Sequence, residues 1–162
     1  MPLDTNVAED RLYGAFERYS FPGDVFCGLC YTQAEIDYIT NTLVRAIDQE
    51  HGRTLLWETA DHWQSADVYR HYLPRLLELI GPPWFLDDIY PRHLFETMLA
   101  LGFHRWPEPE RRVVIDYLTA VTPEVFDHFG DDDQADWAAG LAALTNATLR
   151  LPAATDTESP SH

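Results

Sequence analysis

The sequence contains no lysine, so all eleven of its basic residues are arginine, and it contains only two cysteines. It also has no uninterrupted apolar run long enough to span a bilayer. The first ten residues, MPLDTNVAED, lack the basic and apolar regions of a secretory signal. These absences predict a cytoplasmic protein that does not enter the membrane. In that compartment Cys27 and Cys30 are expected to be reduced.

Motifs of the common hydrolase and nucleotide-binding classes are missing as well. The chain has no Gly-x-Ser-x-Gly, no glycine-rich phosphate-binding loop and no His-Glu-x-x-His. Adjacent carboxylates are present at 87–88 and at 131–133, but adjacent acids are usually solvated or cap helices. These absences argue against the common hydrolase and nucleotide-binding classes and favour a protein without catalytic activity, but they leave an unusual enzyme open.

Acidic residues greatly outnumber basic ones, and the formal net charge is -16. Residues 1–65 hold eleven carboxylates and four arginines, residues 66–106 hold five and four, and residues 107–162 hold eleven and three. Such a surface repels nucleic acid phosphates and anionic membranes, and it steers association with a basic protein. We expect a basic protein partner and no nucleic acid. The alternative is that the acidity only keeps the protein soluble.

Apolar residues recur with the period of an α-helix, and no segment shows the alternation of a β-strand. At 162 residues, with 46% hydrophobic residues, the chain is long enough to bury one core. These patterns predict an all-α fold with six to eight helices packed as antiparallel hairpins. We expect one domain over residues 1–151 and a disordered tail over 152–162, which has no large apolar residue to anchor it.

Residues 65–106 are predicted to form a central helical hairpin around which the other helices pack. The first arm begins at Ser65, a good N-cap, and contains Pro74, where we expect a kink. Its apolar residues share one stripe: Tyr69, Tyr72, Leu73, Leu76, Leu77 and Ile80. The second arm is predicted to open with Pro91 and to close at Gly102. Similar residue clusters in the two arms suggest stacked hairpins of a solenoid-like kind, but one such pair falls short of a repeat array, which needs at least three units.

Other helix starts and breaks can be read from local patterns. Thr32 and Glu35 have the spacing of a capping box. The pair Thr122 and Pro123 predicts either a kinked helix or two helices with Thr122 as the second cap. The three acids at 131–133 come at the start of the last predicted helix, where negative charge complements the macrodipole.

Cys27 and Cys30, separated by two residues, are the sharpest local motif. Two thiolates at this spacing can hold one tetrahedral metal ion, but a structural zinc site needs two further ligands. No second cysteine pair exists, so those ligands would be histidines, with His71 first and His93 or His104 behind it. The spacing also permits a reversible disulfide with one depressed thiol pKa. The third interpretation is two small, half-buried residues that flank a turn glycine.

Three features together look like a group of uncharacterised bacterial all-helical proteins. They are the Cys-x-x-Cys loop after the first helix, the run HYLPRLLEL at 71–79 and the run WPEPER at 106–111. The resemblance covers about residues 10–121, and it implies a bacterial origin but no activity. It favours a common site at Cys27, Cys30 and His71.

These observations favour a non-enzymatic binding protein that neutralises a basic partner such as a toxin domain, similar in type to bacterial immunity proteins. The expected contacts are exposed acids: Asp87, Asp88, Asp131, Asp132, Asp133 and Asp136. One alternative is a zinc-binding or thiol-active protein that uses Cys27, Cys30 and His71, with zinc as its cofactor. The other is a helical scaffold with a concave apolar surface.

Overall fold

The computed structural model of the protein describes residues 3–19, 30–63, 65–86 and 90–149. These residues form seven α-helices and three short 3-10 helices, and none of them is in a β-strand. The predicted all-α class with six to eight helices is therefore confirmed. The α-helices are α1 Thr5–Phe16, α2 Gln33–Asn41, α3 Gln49–Trp57, α4 Ala66–Ile80, α5 Pro91–Ala100, α6 Glu108–His128 and α7 Asp131–Leu149.

Several helix ends lie where the local sequence predicts them. The Ser65 hydroxyl caps α4 by accepting a hydrogen bond from the N–H of Val68 at 3.3 Å. Pro91 is in the first turn of α5, and Gly102 follows that helix with a left-handed φ of 81°. The Thr32 hydroxyl accepts from the N–H of Glu35 at 3.2 Å, and the Glu35 carboxylate accepts from the N–H of Thr32 at 2.7 Å. The predicted capping box is thus present at α2.

The capping box makes the contribution of Glu35 to stability depend on pH. The backbone N–H of Thr32, and then its hydroxyl, hold the pKa of the Glu35 carboxyl below its ordinary value. A carboxyl whose pKa is lower in the folded state stabilises the fold above the unfolded pKa, and this stabilisation is lost as pH falls through the folded pKa. Glu35→Ala should therefore lower the melting temperature at pH 7, and the difference from the unmodified protein should shrink below the ordinary pKa of glutamate.

Asp37→Ala serves as the control, because it makes the same change of charge in the same helix but leaves the capping box intact. Thermal unfolding followed by circular dichroism at pH 7 and at pH 4 measures both variants. Equal pH dependence of the two variants would contradict this account of Glu35.

Buried apolar residues from all seven α-helices form one continuous hydrophobic cluster. α1 packs along α6 and against α4, and α4 also packs on α3. α5 packs on α7, which in turn packs on α6. Among the described helices, none is both long and apolar enough to cross a membrane.

The two arms of the predicted central hairpin are both helices, but each packs mainly against other helices. α4 lies on α1 and α3, whereas α5 lies on α7. The reason is the burial of α4, in which ten of fifteen residues are buried, so that it needs neighbours on several sides. The sequence shows only one apolar stripe on this helix, and a single stripe favours a single partner.

α6 and α7 do form an antiparallel hairpin, joined through Phe129 and Gly130. The indole N–H of Trp137 in α7 donates to the Thr122 hydroxyl in α6 at 2.9 Å. α6 continues through Pro123 as one helix, so the alternative of two helices is wrong. The Thr122 hydroxyl donates to the Leu118 carbonyl at 2.6 Å instead of capping a new helix.

Candidate partner-binding surface

One end of the molecule collects the starts of two helices and the end of a third. α5 and α7 run parallel, because Arg92 lies near Asp136 and Phe95, three residues further along α5, lies against Gly140, four residues further along α7. Since α6 and α7 are antiparallel, the last turn of α6 lies at the same end of the molecule as the first turns of α5 and α7. The loop after α4 also reaches this end, where the Phe85 ring stacks on the His128 ring at 4.3 Å.

Five carboxylates belong to this end, which we call the acidic end. Two are in the C-terminal part of α6 and three are in the first turn of α7. Four of them are exposed and Asp133 is half-buried. The residues of the acidic end are Glu124, Asp127, Asp131, Asp132 and Asp133.

No described arginine neutralises the acidic end. Residues 113–149 contain seven acidic residues and no arginine. Among the ion pairs that join two described residues, none includes an acid of this end. Those that involve arginine join Arg18 and Arg70 to Glu110, Arg45 to Asp10, Arg70 to Asp67, Arg75 to Glu78, Arg92 to Glu96 and Arg112 to Glu108. The electrostatic potential over the acidic end is therefore negative.

Helix energetics explain some of these acids and not others. The three acids at 131–133 complement the positive end of the α7 macrodipole, as the sequence predicts. Asp127 lies in the last turn of α6, where the macrodipole is negative and a carboxylate costs about 0.3–1 kcal/mol, and Glu124 lies just before that turn. Repulsion between neighbouring acids adds to that cost. The stability of the fold thus gives no reason for this pair.

The other predicted contacts are placed differently. Asp136 is half-buried and lies near Arg92, whose pKa is raised by its hydrogen bond to Glu96 and also by the charge of Asp136. Part of the charge of Asp136 is thus balanced within the molecule. Asp87 and Asp88 lie outside the described residues, so their role stays a prediction.

The described residues do not assemble the predicted metal or thiol site. Cys27 lies outside them, and Cys30 is an exposed thiol. His71 places Nδ1 2.6 Å from the Tyr19 carbonyl oxygen, so this ring nitrogen donates a hydrogen bond to the backbone. Within the described part of the chain, no three His, Cys, Asp or Glu side chains are grouped to hold a metal ion. A site that uses Cys27, Cys30 and His71 remains a prediction.

A buried polar cluster that the sequence did not suggest joins α1, α4 and α6. The Glu110 side chain is only 3% exposed, and its carboxylate accepts from the Tyr19 hydroxyl at 2.5 Å and from Arg18 at 2.8 Å. Arg70 approaches the same carboxylate at 3.4 Å, and its guanidinium lies 5.3 Å from the centre of the Trp106 ring. Burial, and then the bond to Glu110, raise the pKa of the Tyr19 hydroxyl. Because Asp67 also pairs with Arg70 at 2.6 Å, two carboxylates balance the two guanidinium groups, and we interpret the cluster as structural.

A groove of about 460 Å³ lies between α1, residues 43–45 and α4. It is lined by the rings of Tyr13 and Tyr19, whose hydroxyls turn away to Glu78 and Glu110 at 2.5 Å each. The Arg45 guanidinium covers the Tyr13 ring at 3.8 Å. The tyrosine hydroxyls and Arg45 thus bind other groups of the protein. They are not oriented to bind a ligand in the groove.

Comparison of the chain with protein-family models, with curated proteins and with solved structures gives no match. The resemblance to a bacterial helical group therefore stays a prediction, and function has to be argued from the residues themselves.

Proposed function

We propose that this chain is a binding protein that neutralises a basic protein partner, similar in type to the immunity proteins that bacteria pair with toxins. The acidic end is the docking surface. The observation that carries the proposal is the placement of Glu124 and Asp127, which lie at the unfavourable end of α6 without a described arginine to balance them.

Charge of this kind acts first on the rate of association. A surface of one sign draws an oppositely charged partner toward it, and this steering raises association rates by tenfold or more at low ionic strength. The partner's cations would also relieve the repulsion among the five carboxylates. An acidic surface that is costly for the isolated chain is thereby stabilised in the complex.

The test uses the double variant Glu124→Gln with Asp127→Asn against a purified basic product of an adjacent gene. Because these acids oppose the macrodipole of α6, their neutralisation should leave the melting temperature unchanged or raise it. The association rate should fall about tenfold at low salt and much less at high salt. Surface plasmon resonance measures the rates, and growth rescue reports neutralisation of a toxic partner.

The matched control is Glu17→Gln with Asp37→Asn, which removes two exposed charges from α1 and α2. It should slow association by less than about twofold. The proposal fails if both double variants slow association equally. It also fails if no adjacent gene product binds the protein or loses its toxicity in its presence.

A further inference from the structure

Two large aromatic side chains are exposed in contact with each other. Trp57 is 43% exposed and Tyr90 is 62% exposed. Their rings meet edge to face, with centroids 6.0 Å apart and planes at 82°. Exposed tryptophan and tyrosine in contact are typical of the residues that carry most of the energy of a protein interface.

Helix ends hold this aromatic pair in place. Trp57 is the last residue of α3, and Tyr90 is the N-cap residue of α5. The His93 ring of α5 is 6.0 Å from the Trp57 ring, and its Nε2 lies 3.1 Å from the Glu58 carbonyl oxygen. The pair is thus ordered before any partner arrives, which reduces the entropy lost on binding.

The aromatic pair lies at the same end of the molecule as the acidic end. Tyr90 immediately precedes α5, and Arg92 in the first turn of that helix faces Asp136 in α7. Asp136 is about one helical turn from Asp132 and Asp133. A partner docked on the acidic end therefore reaches the aromatic pair within the same interface.

We propose that Trp57 and Tyr90 receive an arginine side chain of the basic partner. This inference rests on the proposed function and names the chemistry of one contact within it. A guanidinium over the face of tryptophan or tyrosine is attracted by the ring quadrupole, and arginine also stacks on the ring through its planar group.

The protein already stacks arginine on aromatic rings elsewhere. Arg45 lies 3.8 Å from the centre of the Tyr13 ring, and Arg75 lies 5.5 Å from the centre of the Trp84 ring. In the part of the chain that the structure describes, no arginine lies over Trp57 or Tyr90. Trp84 is 41% exposed, nearly the same as Trp57. It is therefore a matched control, because Arg75 already lies over its ring.

The test titrates the full-length protein with a decaarginine peptide at low salt. Trp57→Ala and Tyr90→Ala should each weaken binding about three- to fivefold. Trp84→Ala should change it less than twofold. In NMR spectra of the unmodified protein, the indole N–H signal of Trp57 should shift during the titration more than that of Trp84, and this readout needs no substitution.

Equal effects of Trp57→Ala and Trp84→Ala, or equal indole shifts, would overturn the arginine site. If Glu124→Gln with Asp127→Asn weakens peptide binding while Trp57→Ala does not, the acidic end stands and the aromatic site is overturned. If only Trp57→Ala and Tyr90→Ala weaken it, the arginine site stands and the acidic end is overturned. An unmodified protein that does not bind decaarginine at low salt would overturn both.

Discussion

Glu110→Gln is expected to lower the free energy of unfolding by about 2 kcal/mol, because hydrogen bonds to a buried charged group contribute about 1.5–3 kcal/mol. The change leaves the volume of the side chain nearly constant but removes the charge that balances Arg18 and Arg70. The Arg70 guanidinium keeps its closer partner Asp67 at 2.6 Å. The loss therefore comes mainly from the hydrogen bonds that Tyr19 and Arg18 donate to the buried Glu110 carboxylate. Urea unfolding followed by circular dichroism measures the loss, and the slope with urea should not change.

Glu108→Gln is the matched control, since it makes the same chemical change in the same turn of α6. Glu108 is 52% exposed and pairs with Arg112, which is 68% exposed. Exposed pairs of this kind contribute about 0–1 kcal/mol, and Glu108 lies in the favourable first turn of α6, so the control should cost about 1 kcal/mol or less. Equal losses for the two variants would mean that the cluster around Glu110 does not hold the helices together.

The same pair of variants separates stability from binding. Glu110 and Glu124 lie fourteen positions apart on α6, which corresponds to roughly 20 Å along the helix axis. At a temperature where both variants are folded, neither should weaken binding of decaarginine. The buried cluster and the acidic end therefore act at opposite ends of one helix.

Local features of the fold could be predicted from the sequence because their causes lie within a few residues. A hydroxyl or carboxylate next to free backbone N–H groups determines where a helix begins, as at Ser65 and at Thr32 with Glu35. The partners of each helix depend on residues far apart in the chain. Arg75, for example, is buried against the Ile47 carbonyl at 2.8 Å, and no local pattern indicates that contact.

The candidate surface likewise contains residues that the sequence indicates and residues that only the packing of the helices brings together. The three acids at 131–133 stand out in the sequence as a run, and the structure places them in the first turn of α7. Glu124 and Asp127 are spaced like the solvated face of any helix, and only the antiparallel packing of α6 on α7 adds them to the acidic end. Trp57 and Tyr90 come from different helices, so their contact could not be read from spacing.

Gly140→Ala should lower the free energy of unfolding by about 2 kcal/mol, although alanine is the better helix former. A Cβ at Gly140 would lie 2.2 Å from two carbons of the Phe95 ring and 2.8 Å from the Phe95 Cβ. Phe95 is only 2% exposed and packs edge to face on Trp137, so a shift of its ring would cost this contact. The added Cβ therefore displaces the Phe95 ring from Trp137 or separates α5 from α7, and thermal unfolding and near-ultraviolet circular dichroism of Trp137 would detect either change.

Gly14→Ala should change the free energy of unfolding in the opposite direction. Gly14 also lies within a helix, but a Cβ there would meet no atom within 4 Å, so the change should raise the free energy of unfolding by up to about 1 kcal/mol.

Because α5 begins beside Tyr90 and α7 begins with the acids at 131–133, separation of these helices also displaces the two parts of the proposed surface. Gly140→Ala should therefore weaken decaarginine binding even where the variant is folded, whereas Gly14→Ala should not. Stabilisation by Gly140→Ala, or unchanged binding, would show that the close contact of α5 with α7 does not position this surface.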